Sequence, residues 1–426
     1  MNKKIYYKID ITLLSPLSIG SGENVQTDKD VIVDSLGNPF IPATAIAGVF
    51  RSYVAKKSII NEDGISLEQA LFGDIESLEK NKIPCKIRIY DARFEDGSNK
   101  FHIATRDCVK LENKVAVDGA KFDMEAVETG AHFTGYIELL SDDSLFVGLV
   151  RELLSALNSG RILLGSKTSR GYGRVGLKVK KREFSDVDEW LEFDMFNNLD
   201  WTNDVALDLE LSNNIDSFEL CIQLNCVGGL SIREYTTDVD LDGGTMPDYK
   251  SMSLCSVMEN NEQTPVIPGT SWAGAFRNKF IELTDEETAK SVFGDVDTKS
   301  KATKKSKIIF SESILSDGTY KLSTRNAIDR FSGATKDGAL YTEKTYYYGK
   351  TDLVISFYEK PERKVLWALG ICLADLHNGF LAVGGLTSIG RGLFEVTSLR
   401  LNGNDLTVEN IVDGKIDSFV EEALER

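Results

Sequence analysis

Apolar and polar residues alternate over "IYYKIDITLL" (Ile5 to Leu14), the period of a strand with one buried face, and the alternation returns over "FELCIQLNCV" (Phe218 to Val227). Each opening strand leads through a loop to a short strand, "DVIVDS" (Asp30 to Ser35) or "SLCSVME" (Ser253 to Glu259), and then to an Ile-Pro pair. There the period changes. Ile46, Val49, Phe50, Tyr53 and Val54 fall at i, i+3, i+4, i+7 and i+8, as do Trp272, Ala275, Phe276, Lys279 and Phe280, which predicts a helix with one apolar face in each stretch. Pro42 and Thr44 suit the first turn. Further strands follow ("CKIRIYDARF"; "SKIIFSESIL"), then a long irregular stretch, a strand ("HFTGYIELL"; "KTDLVISFYE"), a second apolar helix stopped by Gly160 or Gly379, and a glycine-rich loop. Strand, helix, strands, helix, strand is the order of a β-α-β-β-α-β unit. The expected fold class is therefore α+β, with two tandem ferredoxin-like (RRM-like) domains.

Subtraction supports the duplication. Thr168 and Thr387, Ser169 and Ser388, Gly171 and Gly390, and Gly173 and Gly392 are all 219 residues apart, and that offset holds back to Arg106 and Arg325. "IPATAIAGVFR" (Ile41 to Arg51) and "IPGTSWAGAFR" (Ile267 to Arg277) lie 226 apart, and "LFGDI" and "VFGDV" 221 apart, so short insertions separate the blocks. A period this long means two domains rather than a solenoid. The expected division is 1–183, an acidic linker at 184–217 with a short helix around Glu189 to Phe196, a second domain at 218–400 and a helical tail at 401–426.

Composition narrows the classes. The chain has 426 residues, 42% of them hydrophobic, enough apolar material for two cores. No run of eighteen apolar residues appears and the start is a strand pattern rather than a secretion signal, so a cytoplasmic protein without membrane contact is expected. Cys85, Cys108, Cys221, Cys226, Cys255 and Cys372 form no C-x-x-C pair and read as reduced core thiols. Against 49 Lys+Arg stand 66 Asp+Glu, a net charge of −17, which argues against a generic charge-driven nucleic-acid coat. The charge is uneven, however: "KTSRGYGRVGLKVKKR" and "KSKATKKSK" are dense in base, while no Lys or Arg stands between Arg182 and Arg233. A basic groove on an acidic body fits that distribution.

The loop "GSKTSRGYGR" combines flexible backbone N–H groups, small hydroxyls, Arg170 and Arg174, the composition of a turn on which a phosphodiester can lie; a turn that simply needs glycine is the alternative. "STRNAIDRFSGATKDGALYTEKTYYYG" mixes Arg325, Arg330, Lys336 and Lys344 with aromatics, which suits phosphate neutralisation and base stacking or, equally, an ordinary hairpin. Asp238, Asp240, Asp242 and Gly243 begin like a calcium loop whose twelfth position fails at Tyr249; an acidic solvated loop or a nuclease carboxylate between Asp238 and Asp248 are the other readings. His102, His132 and His377 are the only histidines, and no zinc site, Walker loop, nucleophile elbow or dinucleotide fingerprint occurs.

Taken together, "LSPLSIGSGE", "PFIPATAIAGVFRSYV", "LFGD", "GSKTSRGYGRV", "VIPGTSWAGAFRNKF", "VFGD", "RNAIDRFSGATKDGALYTEKTYYYG" and "VGGLTSIGRGLFEV" resemble the RAMP superfamily of CRISPR-associated proteins. More narrowly they resemble the backbone ribonuclease subunit of type III effector complexes, present twice in one chain. The resemblance implies a subunit that binds a CRISPR guide RNA, stacks on other RAMP-type subunits beside a large subunit, and cuts paired single-stranded target RNA with Mg²⁺ or Mn²⁺; a non-cleaving guide-binding scaffold is the alternative. It places guide contacts at Thr44, Ala47, Gly48 and Arg51, at Thr270, Ser271, Gly274 and Arg277, at Ser169, Arg170 and Gly171, and at Ser388 and Gly390. Arg325 and Arg330 go with the stretch Ile328 to Glu343, which resembles a hairpin that wedges guide and target apart; its first-copy counterpart lacks the I-D-R and L-Y residues. The family's cutting residue, an Asp before the short strand, is matched best by Asp28, the implied metal ligand, with Asp30 beside it and Asp248 as the second-copy choice. Ser18 and Ser231 stand where the family commonly has His.

Overall fold

A computed structural model of the chain describes residues 4–22, 27–57, 64–73, 83–94, 101–112, 115–201, 203–207, 218–234, 249–251, 253–255, 263–296 and 303–425. The chain divides into two compact units, the first largely from residues before 215 and the second largely from residues after it. Both are α+β with antiparallel central sheets.

In the first unit the opening strand Lys4–Leu13 lies between His132–Leu139 and Val175–Phe184, pairing antiparallel with both. The sheet continues beyond His132–Leu139 through Ala92–Phe94 to Phe40–Ile41, with Ile87–Ile89 also on that strand, and beyond Val175–Phe184 to Asn203–Asp204. Alternation works as expected: Ile5, Tyr7, Ile9 and Ile11 enter one core with Ile46, Phe50 and Val54 of helix Ala43–Ala55 and Leu149, Val150, Leu153 and Leu157 of helix Ser144–Asn158. Tyr6 points the other way.

The second unit repeats the plan. Phe218–Val227 is central, between Lys350–Phe357 and Leu393–Leu401, with Ile308–Phe310 and Asn404–Leu406 at the two edges. Trp272, Phe276 and Phe280 of helix Gly269–Leu283 and Leu366, Leu369 and Leu373 of helix Arg363–His377 fill its core, joined by Phe419 and Val420 of the terminal helix Ile416–Glu425. Cys85, Cys221, Cys226 and Cys372 are free thiols, but only Cys226 and Cys372 are buried in the core; Cys221 is half-buried on the opposite face of its strand from Cys226, and Cys85 is exposed. Among the described residues no helix is long and apolar enough to cross a membrane.

Three local expectations need correction. "DVIVDS" is not a strand: only single bridges form, Gly20 with Val31 and Val33 with Pro39, because Asp34 turns the chain by accepting the N–H groups of Leu36 and Asn38. "VDGA" (Val117 to Ala120) and "KDGA" (Lys336 to Ala339), which match at the 219-residue offset and should take one structure, do not: the first lies inside the strand Val115–Val127 and the second in a loop. The short helix expected around Glu189 to Phe196 runs over Val187–Glu192 and belongs to a strap packed on the first sheet, where Trp190, Phe193, Met195 and Trp201 meet Tyr6 and Phe184.

Candidate nucleic-acid interface

The two Ile-Pro helices present the same outward face. Pro42 and Pro268 precede the first helical turn with nearly equal backbone angles, φ −58°, ψ 140° and φ −60°, ψ 143°. Thr44, Ala47, Gly48 and Arg51 then fall at i, i+3, i+4 and i+7, on the side away from Ile46, Phe50 and Val54; Thr270, Gly274 and Arg277 repeat the spacing, with Ser271 one residue round. A Cβ built at Gly48 or at Gly274 would meet nothing within 4 Å. Glycine inside a helix is less favourable than alanine by about 1 kcal/mol, and no packing within the fold demands it at either place. It does leave room for another backbone to come close.

The terminal arginines of these faces differ. Arg51 is ion-paired with Glu68 of helix Leu67–Phe72, whereas Arg277 has no ion-pair partner among the described residues. The guanidinium of Arg277 is therefore the more available to a phosphate.

The glycine loops are also twins, and much of their glycine content serves the fold. Each contains one 3-10 turn, Thr168–Arg170 and Thr387–Ile389. Gly173 (φ 83°) and Gly392 (φ 75°) are obligatory: a Cβ there would come within 1.9 Å of the Leu164 carbonyl oxygen and 2.0 Å of that of Val383. The N–H of Gly173 donates to Pro16 O (2.9 Å), that of Gly392 to Gly229 O (3.0 Å), that of Ser166 to Ser18 O (2.8 Å) and that of Gly385 to Ser231 O (2.7 Å). Ser18 and Ser231 are thus buried anchors for the loops. Ser388 and Gly390 remain exposed, Ser169, Arg170 and Gly171 half-buried, and Ile389 occupies the second loop's equivalent of Arg170.

Behind each loop sits a buried charge pair that motif reading did not find. In the first unit Arg106, on the hairpin strand Ile103–Glu112, pairs with Glu128 at 2.9 Å, donates to the Tyr172 hydroxyl at 2.9 Å and lies 5.2 Å from the centre of that ring. In the second unit Arg391, in the glycine loop, pairs with Glu343 of hairpin strand Tyr341–Tyr347 and lies 5.5 Å from the Tyr347 ring. Arg325 approaches the same Glu343 at 3.4 Å while keeping 38% of its side chain exposed. Arg391 is enclosed and so is not a phosphate contact.

The hairpins diverge at their tips. The first runs as two long strands, Ile103–Glu112 and Val115–Val127. The second pairs Thr319–Arg325 with Tyr341–Tyr347 and leaves residues 326–340 as an extended tip. There the Asp329 carboxylate accepts the N–H groups of Phe331 and Ser332 and the Ser332 hydroxyl, contacts that hold its pKa below the usual carboxylate value. Around that knot Arg330 is exposed, and Phe331 is 97% and Ile328 66% exposed.

Asp28 is exposed, in a loop docked on the first hairpin. Its N–H donates to the Asp123 carboxylate (2.8 Å) and the Asp123 N–H donates to the Asp28 carboxylate (3.1 Å). Three residues on, the Val31 N–H donates to Glu125 Oε2 (2.8 Å). Asp30 instead closes the loop on itself, accepting the N–H and hydroxyl of Thr27. Asp123 is the residue that sequence reading missed. Each carboxylate thus accepts the other residue's N–H; a hard cation takes one or two carboxylates and completes its shell with water and phosphate oxygens. No group of three His, Cys, Asp or Glu able to hold a metal occurs among the described residues. Asp238, Asp240, Asp242 and Asp248 lie outside the described residues. His132 Nδ1 is 2.8 Å from the Thr12 hydroxyl, and His377 Nδ1 accepts the Val396 N–H, so both rings are tied into the fold.

A family model described as the RAMP superfamily matches residues 10–176 and 253–395, one stretch in each repeat and well over half of the chain together. Comparison with curated proteins finds no match.

Proposed function

The chain belongs to the RAMP superfamily, whose members are CRISPR-associated and work with RNA and other subunits, and from that premise we propose that it is a backbone subunit of a type III RNA-guided effector complex. Each unit acts as a ferredoxin-like RAMP domain, a reading supported by the shared strand order: closing strand, opening strand, the strand before the second helix, then the strand after the first. The observation that carries the proposal is the repeated helix face, Thr44, Ala47, Gly48 and Arg51 in one unit and Thr270, Ser271, Gly274 and Arg277 in the other, small and open until it ends in an arginine. A guide backbone lies along both faces, with Ser169, Arg170 and Gly171 and then Ser388 and Gly390 lining its path. Arg325 and Arg330 meet the nucleic acid at the second hairpin.

Cutting of the paired target falls to Asp28. Asp28 and Asp123 are the residues that would hold Mg²⁺ or Mn²⁺, which supplies charge neutralisation at the reacting phosphate. Asp123 fixes the Asp28 backbone, and the exposed loop gives a target phosphodiester access. The Asp28 carboxylate is the group we assign to orienting the attacking hydroxyl.

The test is cleavage of complementary RNA by the guide-loaded complex in Mg²⁺ and in Mn²⁺. Asp28→Ala is expected to abolish one cut while guide and target binding stay intact, and Asp248→Ala to remove a separate cut one repeat along. If all cuts persist in Asp28→Ala and in Asp30→Ala, the catalytic assignment fails. A wild-type complex that leaves the target whole in both metals makes the chain a guide-binding scaffold.

A further inference from the structure

The strap that crosses the first sheet is anchored from below. Trp190 donates its indole N–H to the Tyr6 hydroxyl (2.9 Å), Phe193 packs 5.2 Å from the Tyr6 ring and 4.8 Å from Phe184, and Trp201 lies 5.9 Å from Tyr136. Lys4 sits 5.3 Å over the Trp190 ring. A segment held by so many rings is a preformed surface rather than a tether.

What it shows outward is both apolar and acidic. Val187 is 46% exposed, Leu191 68%, Phe196 64% and Leu199 86%. Val187 and Leu191 stand one turn apart on helix Val187–Glu192, with Asp188 and Glu192 at the same spacing beside them. Asp186, Glu189 and Asp194 are exposed as well, and none of these five carboxylates has an ion-pair partner among the described residues. No Lys or Arg occurs anywhere in the sequence between Arg182 and Arg233. On the second unit's opening strand the corresponding outward positions are Glu219, Cys221, Gln223 and Asn225, which offer no such apolar group.

We propose that this strap is the docking surface for a different protein subunit, one that presents apolar side chains inside a rim of Lys and Arg. Charge selects that occupant. RNA would bring phosphates against uncompensated carboxylates, and a second copy of this chain carries a net charge of −17. A basic partner neutralises the carboxylates at the rim while covering Val187, Leu191, Phe196 and Leu199, the arrangement of an apolar centre with a charged periphery. The inference requires only that the chain assembles with other subunits and is independent of the cleavage reading.

The complex purified through this chain provides the test, with the photo-reactive residue benzoylphenylalanine placed at Leu191 or Leu199 and, as a control away from the strap, at Leu36. Irradiation is expected to join the strap sites, but not the Leu36 site, to one stoichiometric protein subunit identified by mass spectrometry. Asp188→Lys with Glu192→Lys should lower that yield at least tenfold, with guide RNA content unchanged as evidence of an intact fold. Capture of RNA, capture of a second copy of this chain, no capture, or a yield indifferent to the charge reversal each overturns the proposal. A charge-reversed chain that loses its RNA is replaced by wild-type complex titrated with salt, where the strap yield must fall and a flat response overturns the proposal.

Discussion

The two units bury the same kind of charge pair with the residues exchanged. At the offset of 219, Tyr172 of the first unit corresponds to Arg391 of the second, Glu128 to Tyr347, Met124 to Glu343 and Arg106 to Arg325. In each unit a guanidinium meets a carboxylate and lies against a tyrosine ring, between hairpin and glycine loop, yet the guanidinium comes from the hairpin in one and from the loop in the other. What both units need is a compensated pair at that place, and the sequence position of each member is free to move. In the second unit a further arginine, Arg325, approaches the same Glu343 and stays partly exposed at the base of the hairpin.

The largest expected effect breaks this comparison at the pair itself. Arg106→Met removes the guanidinium that the buried Glu128 meets and should destabilise the first unit by up to about 3–5 kcal/mol, while Arg106→Met with Glu128→Leu should recover most of the loss. Arg391→Met should affect the second unit less, because Arg325 still reaches Glu343. Denaturant unfolding followed by hydrogen exchange in each unit separates the two, and equal losses would show that the second arginine gives no cover.

A smaller effect sharpens the comparison of the helix faces. Arg277→Ala should flatten the salt dependence of guide-RNA binding by about 0.7–0.9 in the log–log slope, the value of one phosphate contact, and Arg51→Ala by less because Glu68 already holds that side chain. Titrations of both variants over a range of salt decide it; a larger change for Arg51 would reverse the ranking.

How much of this was legible beforehand depended on whether local spacing carried it. The helix faces and glycine loops were readable because a period of 3.6 and an exact repeat leave a mark in sequence, as Ile46, Phe50 and Val54 show. The buried pairs were not, since their members trade places between repeats and an alignment sets arginine against tyrosine. Asp123 was invisible for another reason: it meets Asp28 across 95 residues of chain. The strap was hidden by its own composition, whose many carboxylates outweigh the four aromatic and thioether anchors among them, Trp190, Phe193, Met195 and Trp201. The matched "VDGA" and "KDGA" took different structures because the strands around them, not the tetrapeptide, set where each hairpin turns.

The smallest expected effect concerns the helix that follows each Ile-Pro helix. In the first unit Ser66 caps Leu67–Phe72 in a reciprocal box with Gln69, which does not titrate in acid. In the second, Asp285 caps Glu286–Phe293; the Lys364 ammonium, the Thr288 N–H and the Thr288 hydroxyl lower its pKa from 3.8 to about 2. A carboxylate lowered in this way adds stability above its unfolded pKa and loses it as the pH falls through the folded one. Between about pH 4 and pH 2 the amides of Glu286–Phe293 should therefore lose protection before those of Leu67–Phe72 do, once corrected for intrinsic exchange. Asp285→Asn should remove the difference, and parallel loss in the wild type would contradict it.

The claim on which the rest depends is that both units use their Ile-Pro helices on one RNA. Ultraviolet crosslinking of the guide-loaded complex, with the attached peptides identified by mass spectrometry, tests it directly. The account predicts crosslinked peptides from Ala43–Ala55 and from Gly269–Leu283, at nucleotides separated along the same guide. A purified chain without RNA, or crosslinks confined to one unit or to surfaces away from both helices, would contradict it.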